Sequence, residues 1–309
     1  MKSSKRSFLV TGAHRTGTTW VGRMLAATPR LAYISEPLNV FHHPGILGAP
    51  VPYWYTYICN ENESEYLLPF QQLLNFRYHL FSAAMSLRSG KDFLRMGRDL
   101  GIFWQAGLLL HRLPLLKDPF AVFSIPWFAQ RLNSRVVVTV RHPAAFASSL
   151  KRMNWSFDFN DLLNQPLLMH DHLEPYRKEM RSVAADDVIG QASLLWAMVY
   201  RIVHATCKQN PSIRVVRHED LSLDPVGGYQ QLYGELGLNF TPGVKRKVMD
   251  SSSSENPAEL SRKKVHSVKL DSRANLDNWK HRLSSGEIDR IRHATEEVAH
   301  LYYPEVGWN

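Results

Sequence analysis

The chain has 309 residues, 44% hydrophobic and 21% charged. That is globular composition, long enough to bury a large core, and it excludes a disordered or fibrous chain. Lys and Arg outnumber Asp and Glu by 37 to 28, a formal net charge of +9 that favours anionic ligands. No nucleic-acid recognition motif accompanies the charge, so nucleic acid is not expected as a partner. Cys59 and Cys207 are the two cysteines, too few for a disulfide framework or a zinc site, which points to a reducing compartment.

Lys2, Lys5 and Arg6 resemble the charged start of a signal peptide, but the apolar run behind them is only Phe8 to Val10. A strand is predicted over 7–11, then a Gly-framed loop and a helix over 17–27, then a strand over 31–35. Residues 53–110 are helical in pattern, aromatic-rich and longer than a crossover needs, so they read as an insertion. The apolar stretch Leu108 to Leu116 is broken by His111, Arg112 and Pro114 and is too short to span a bilayer. No transmembrane segment is expected, which leaves a peripheral membrane contact open.

Further strands are predicted over 113–116, 135–140 and 212–217, with helices over 122–132, 143–153 and 187–209. The Leu/Trp/Met pattern at 194–203 reads as an amphipathic core helix. A second insertion, 154–186, is polar and aperiodic, and the serine-rich stretch 251–258 is expected to be mobile. Alternating strands and helices predict a single α/β domain over 1–309: a parallel sheet of about five strands with helices on both faces. The oligomeric state is not encoded in any of these patterns.

Two stretches carry chemistry. Gly12-Ala-His14-Arg15-Thr16-Gly17-Thr18-Thr19 follows a strand and opens a helix, the setting in which backbone N–H groups and the helix dipole hold a phosphate. Its spacing is that of a nucleotide triphosphatase loop, but Thr18 stands where that loop has its lysine, and the nearest cation is Arg15. In the second, a β-branched run ends in Arg141-His142-Pro143 and a helix follows, with Ser149 eight residues beyond Arg141. A guanidinium there can fork onto a phosphate, where a nucleotide triphosphatase would keep a magnesium-holding Asp.

These residues resemble the sulfotransferases that use 3′-phosphoadenosine 5′-phosphosulfate (PAPS), in particular their carbohydrate and tyrosylprotein branches. Arg15-Thr16-Gly17-Thr18-Thr19-Trp20 is similar to the family's first cofactor loop, and Arg141 with Ser149 to its 3′-phosphate element. Glu36-Pro37 is similar to the Glu-Pro segment of carbohydrate sulfotransferases, and Lys117-Asp118-Pro119-Phe120 to a tyrosylprotein motif. Arg217-His218-Glu219-Asp220-Leu221 resembles the family's Tyr-Glu-Asp-Leu, with His218 at the Tyr position. Ser272-Arg273 through Trp279 resembles the late cofactor loop, although the basic residue expected before the Trp is Asn278 here.

The resemblance implies sulfuryl transfer from PAPS to an acceptor hydroxyl of a glycan, lipid-linked sugar, phenol or peptide Tyr. Eukaryotic glycan and tyrosine sulfotransferases usually carry a membrane anchor, so the lack of a predicted one points to a bacterial, cytoplasmic enzyme; no metal is required, and the insertions 53–110 and 154–186 are expected to be lid or acceptor-binding elements. Glu36 is the expected base, with His14, His42 and His43 competing for that role, and Arg15 and Lys117 supply positive charge. His14, Arg15, Thr16, Gly17, Thr18, Thr19, Arg141, Ser149, His218, Ser272 and Arg273 are the expected cofactor-binding residues. Asp118 reads as a helix cap, and Trp279 either stacks on the purine or belongs to the core. The alternatives are a small-molecule kinase using ATP, opposed by the missing lysine and by Arg141, and a non-catalytic nucleotide-binding module.

Overall fold

Strand β1 (Ser7–Thr11) is buried along its whole length, as a strand covered on both faces must be. The computed structural model describes residues 6–42, 44–259, 268–303, 305, 307 and 308. From β1 the chain runs through α1 (Thr18–Leu25), β2 (Leu31–Ser35), α2 (Leu67–Leu74), α3 (Leu80–Met85) and α4 (Gly90–Trp104). Next come β3 (Leu113–Lys117), α5 (Ile125–Arg131), β4 (Ser134–Val140) and α6 (Pro143–Met153). Short helices α7 (Asn160–Leu163), α8 (Pro166–Leu168) and α9 (Arg177–Ser182) lead into the long α10 (Val188–Gln209). The chain continues with β5 (Arg214–Arg217), α11 (His218–Leu223), α12 (Pro225–Glu235), α13 (Pro242–Ser252) and α14 (Ser285–Ala299).

The five strands form one parallel sheet in the order β2-β3-β1-β4-β5. Alternation along the strands sends side chains to two cores. Phe8 and Val10 pack with Trp20 and Leu25 of α1 and Tyr233 of α12. Leu9 and Val138 face the other way, toward Phe146 of α6, Trp196 of α10 and Ile291 of α14. Each fully buried side chain of this size contributes roughly 1.5–3 kcal/mol. The chain leaves β1 to build one side of the sheet and returns to build the other, so a crevice opens at the carboxyl ends of β1, β3 and β4, the switch point where parallel sheets place ligands.

The predicted mixed α/β sheet is the observed one, and its deviations are local. The last strand begins at Arg214, not 212, because the Asn210 side chain accepts from the Ser212 N–H at 3.1 Å and holds a turn. The helix expected over 122–132 starts as a 3₁₀ turn, Pro119–Ser124, which Asp118 caps by accepting from the Phe120 N–H at 3.0 Å. The serine-rich stretch expected to be mobile begins inside α13, where Ser251 is buried and accepts from Trp20 Nε1 at 2.9 Å. Helix α10, with mean hydropathy 1.2 over its most apolar window, is long and apolar enough to cross a membrane by composition, yet 67% of that window is buried and it packs on α6 and α14.

Candidate active site

The loop after β1 takes left-handed backbone angles at Gly12 (φ 139°), Arg15 (φ 68°) and Gly17 (φ 94°). A Cβ on Gly12 would lie 2.4 Å from the Thr139 carbonyl oxygen, and one on Gly17 2.7 Å from His218 Nδ1. Only glycine lets the loop lie this close to β4 and to the head of α11. Thr16 faces inward: its hydroxyl donates to the Ala13 carbonyl (2.6 Å) and lies 2.9 Å from Thr139 Oγ1. Tyr200 completes the brace, donating to the Thr139 carbonyl and accepting from the Ala13 N–H. Thr16 therefore shapes the loop from behind, while His14, Arg15, Gly17, Thr18 and Thr19 line a cavity of about 640 Å³. No side chain caps α1 at Gly17, so its first-turn N–H groups are left to an anion.

Three further arginines line the cavity with Arg15: Arg141, Arg152 and Arg282. Arg15 Nε donates to Ser149 Oγ at 3.2 Å, and Arg141 Nη1 donates to the Arg15 carbonyl at 3.4 Å. The Nε of Arg141 is buried with no partner. Burial, then the neighbouring Arg141 and Arg152, pulls the Arg15 guanidinium down to about 10. Burial also lowers Arg141, with Glu219 opposing. The strand end is clamped where Trp196 Nε1 donates to the Arg141 carbonyl at 2.8 Å and the His142 N–H donates to Glu219 at 2.9 Å. Arg152 and Arg282 share Glu259 at 2.5 and 2.7 Å. Crowded guanidiniums in a cavity wall are a site that an anion completes.

Beside the arginines, His218 presents a buried ring whose two nitrogens have no partner. Burial and Arg141 push it down to about 3, so it is neutral at pH 7. Its ring meets Trp20 edge-on at 5.7 Å. Ser222 Oγ is also buried without a partner, while the Ser222 carbonyl accepts from Ser272 Oγ at 2.8 Å. Arg273 does not line the cavity; its guanidinium donates to the Leu223 carbonyl at 2.8 and 3.2 Å. Trp279 lies in the core, stacked on His142 at 5.3 Å.

Glu36 follows β2 in a left-handed conformation (φ 49°), its N–H bonded to the Lys117 carbonyl at 2.7 Å. For a non-glycine residue this backbone is strained, and such strain collects at functional sites. Its carboxylate lines the cavity, accepts from Asn39 Nδ2 at 2.9 Å and pairs with the Lys117 ammonium. Lys117 is 1% exposed and lies behind Glu36, outside the cavity lining, so it acts on the cavity only through that carboxylate. The neighbouring Asp118 points into the fold, where it accepts from the Leu38 and Phe120 N–H groups and burial raises its carboxyl to about 7.

His14 is lowered to about 4, chiefly by burial and next by Arg15, and its Nδ1 lies 2.7 Å from the Tyr55 hydroxyl. That hydroxyl oxygen also accepts the His14 backbone N–H at 3.2 Å, tying the residue to Tyr55 through main chain and ring. His42 is lowered by burial and bonded to the Asn39 carbonyl, away from the cavity. His43 lies outside the described residues. Facing the loop is an aromatic wall of Trp54, Phe120, Trp155 and Phe157, with Asp158 and Asp161 beside it.

The model of the Sulfotransferase family matches residues 7–242. The chain belongs to the sulfotransferase family. Carbohydrate sulfotransferase 1 of Danio rerio is 25% identical over 203 residues, 64% of this chain, and the chain covers 42% of that relative's length. The sulfotransferase domain of the Synechococcus PCC 7002 olefin synthase shares the fold at 16% identity, with a TM-score of 0.52 over 99% of this chain and 98% of that one.

The sequence motifs did not single out Asn39, Trp54, Arg152, Trp155, Asp158 and Arg282, which line the cavity. Arg152 had a local signal, since it follows Ser149 at i+3 on α6 and shares its face. Arg282 had none, because its turn is placed by tertiary packing, whereas Phe120 belongs to the Lys117–Phe120 motif and Trp54, Trp155 and Phe157 fall within the two insertions.

Proposed function

We propose that this sulfotransferase transfers a sulfuryl group from PAPS to an acceptor hydroxyl by in-line displacement. The observation that carries the reading is the ring of buried polar groups without protein partners around the loop: Arg141 Nε, both nitrogens of His218 and Ser222 Oγ. Buried polar atoms are rarely left unpaired, and these match a nucleotide with an extra phosphate. The donor supplies the sulfuryl group on a phosphate leaving group. Arg141 and Ser149 hold the 3′-phosphate; Arg15 and the first-turn N–H groups of α1 take the 5′-phosphate end; His218 and Ser272 lie along the nucleoside. Neutral His218 meets an uncharged base without the cost of burying a second ion.

Glu36 takes the acceptor's proton, with Lys117 and Asn39 fixing its two oxygens. His14, held near 4, is neutral at pH 7 and lines the cavity beside Arg15. Arg15 stabilises charge as it collects on the leaving phosphate. The aromatic wall with its two carboxylates suits a ring-bearing acceptor with polar groups, a sugar or a phenol. Incubation with radiolabelled PAPS and a panel of a glycan, a lipid-linked sugar, a phenol and a Tyr peptide tests this. Label should move to at least one acceptor with one adenosine 3′,5′-bisphosphate released per transfer. ATP-dependent phosphorylation of the same panel, with no label transfer from PAPS, would overturn it.

A further inference from the structure

Helices α3 and α4 contribute no residue to the lining of the cavity. Phe103 anchors α4 to the core against Phe76 and Tyr78. The opposite face is apolar and open: Phe81 is 80% exposed, Met85 75%, Leu94 73%, Phe93 61% and Trp104 53%. Phe93, Gly97, Gly101 and Trp104 follow i, i+4, i+8, i+11, a single stripe along the helix. A Cβ added at Gly97 or Gly101 would meet nothing within 4 Å, so no part of the described protein covers this stripe. Contiguous exposed aromatic surface of this kind marks an interaction site.

The charges beside the stripe indicate the partner. Residues 77–112 hold six Lys or Arg against two acidic residues, Asp92 and Asp99. Asp99 is buried beside Arg98, and Asp92 is bonded to Ser89 at the start of α4. Arg77, Arg88 and Arg98 are exposed. Bulky apolar side chains flanked by guanidiniums match the interface of an anionic bilayer, where rings enter the acyl boundary and cations meet phosphate headgroups. A second copy of the chain fits less well, because a twofold contact would set this basic fringe against itself.

The apolar surface also continues toward the cavity. The His79 N–H bonds to the Gly45 carbonyl at 2.9 Å, tying α3 to the loop that begins at Glu36. That loop carries Phe41, 82% exposed, whose ring meets Trp54 of the cavity wall at 5.8 Å.

We propose that the α3–α4 hairpin, together with Phe41, is a docking surface for an anionic phospholipid bilayer, with α4 lying in the headgroup plane. The full chain should co-sediment with vesicles containing about a third phosphatidylglycerol, weakly or not at all with pure phosphatidylcholine, and less at high salt. Replacing Phe81, Phe93, Leu94 and Trp104 together by Ser should lower partitioning by at least about tenfold. The same variant should keep its affinity for adenosine 3′,5′-bisphosphate, which shows that the fold is intact. Arg88→Glu with Arg98→Glu gives an independent reading, abolishing the preference for anionic vesicles. Equal binding to both vesicle types, partitioning unchanged in the serine variant, or a dimer in sedimentation velocity with no vesicle binding would each overturn the proposal.

Discussion

Around Gly12 to Gly17 the cavity wall is backbone and cationic side chains at strand ends, whereas across from it the wall is rings carried by residues 54, 120, 155 and 157. The first region is placed by the sheet: β1 and β4 are hydrogen-bonded neighbours, so the loop and Arg141 meet as soon as the strands pair. The second is placed by packing between segments far apart in sequence, as where Gln165 accepts from the Tyr57 N–H at 2.7 Å and Asp161 from the Trp54 N–H at 3.3 Å. On the proposed function, donor recognition rests on sheet-anchored elements and acceptor recognition on connecting segments, which tolerate change more readily.

The largest effect should come from where the two regions meet. Glu36→Gln should lower turnover with an alcohol acceptor by roughly a thousandfold, with donor affinity unchanged. A nitrophenol acceptor, which arrives partly ionised, should recover part of the rate. If the rate survives in this variant and falls instead in His14→Ala, Glu36 is not the base.

Next in size is the donor region. Arg141→Ala should weaken adenosine 3′,5′-bisphosphate by about 3 kcal/mol, the scale for losing a buried charge pair, and leave AMP nearly unaffected. Calorimetric titration checks it, and equal losses for the two ligands would show that Arg141 does not read the 3′-phosphate.

The buried histidines test the donor region without any ligand. His14 and His142 are held near 4 and His218 near 3, mainly by burial. Each is neutral in the fold but takes a proton at its ordinary value near 6.5 when unfolded. Their contribution is therefore present above pH 6.5 and lost as pH falls toward 4. Between pH 7 and 5 each should remove about 2 kcal/mol. His218→Gln, which cannot titrate, should lose about that much less than the parent in urea unfolding at the two pH values; identical losses would mean that His218 is not held neutral.

The smallest effect belongs to the acceptor wall. Trp54 packs on Phe120 at 4.5 Å. Trp54→Ala should raise the acceptor KM about five- to tenfold, worth about 1 kcal/mol, with donor affinity unchanged. A matching loss of donor affinity would merge the two regions into one.

The same division governs what could be read from the sequence. All five strands, the loop and the Arg141–Ser149 spacing were legible because they depend on neighbours in the chain: short apolar and β-branched runs, glycine at left-handed positions, proline in a first helical turn. Thr16 and Arg273 belonged to motifs, but which way their side chains turn depends on Thr139 and on the Leu223 carbonyl, residues far away in sequence. Lys117 was legible as a cation at a strand end, yet its pairing with Glu36 follows from β2 lying beside β3. Of the aromatic wall, Phe120 belonged to a motif and Trp54, Trp155 and Phe157 to the two insertions, but that they meet was not legible, since no periodicity links Trp54 to Trp155.

A cavity built for a nucleotide carrying a 3′-phosphate should separate three ligands in isothermal titration of the unmodified protein: adenosine 3′,5′-bisphosphate, AMP and ATP, each with and without magnesium. The bisphosphate should bind tightly and independently of magnesium, and the other two far more weakly. Tighter binding of ATP with magnesium than of the bisphosphate would show that the cavity is not built for a 3′-phosphate.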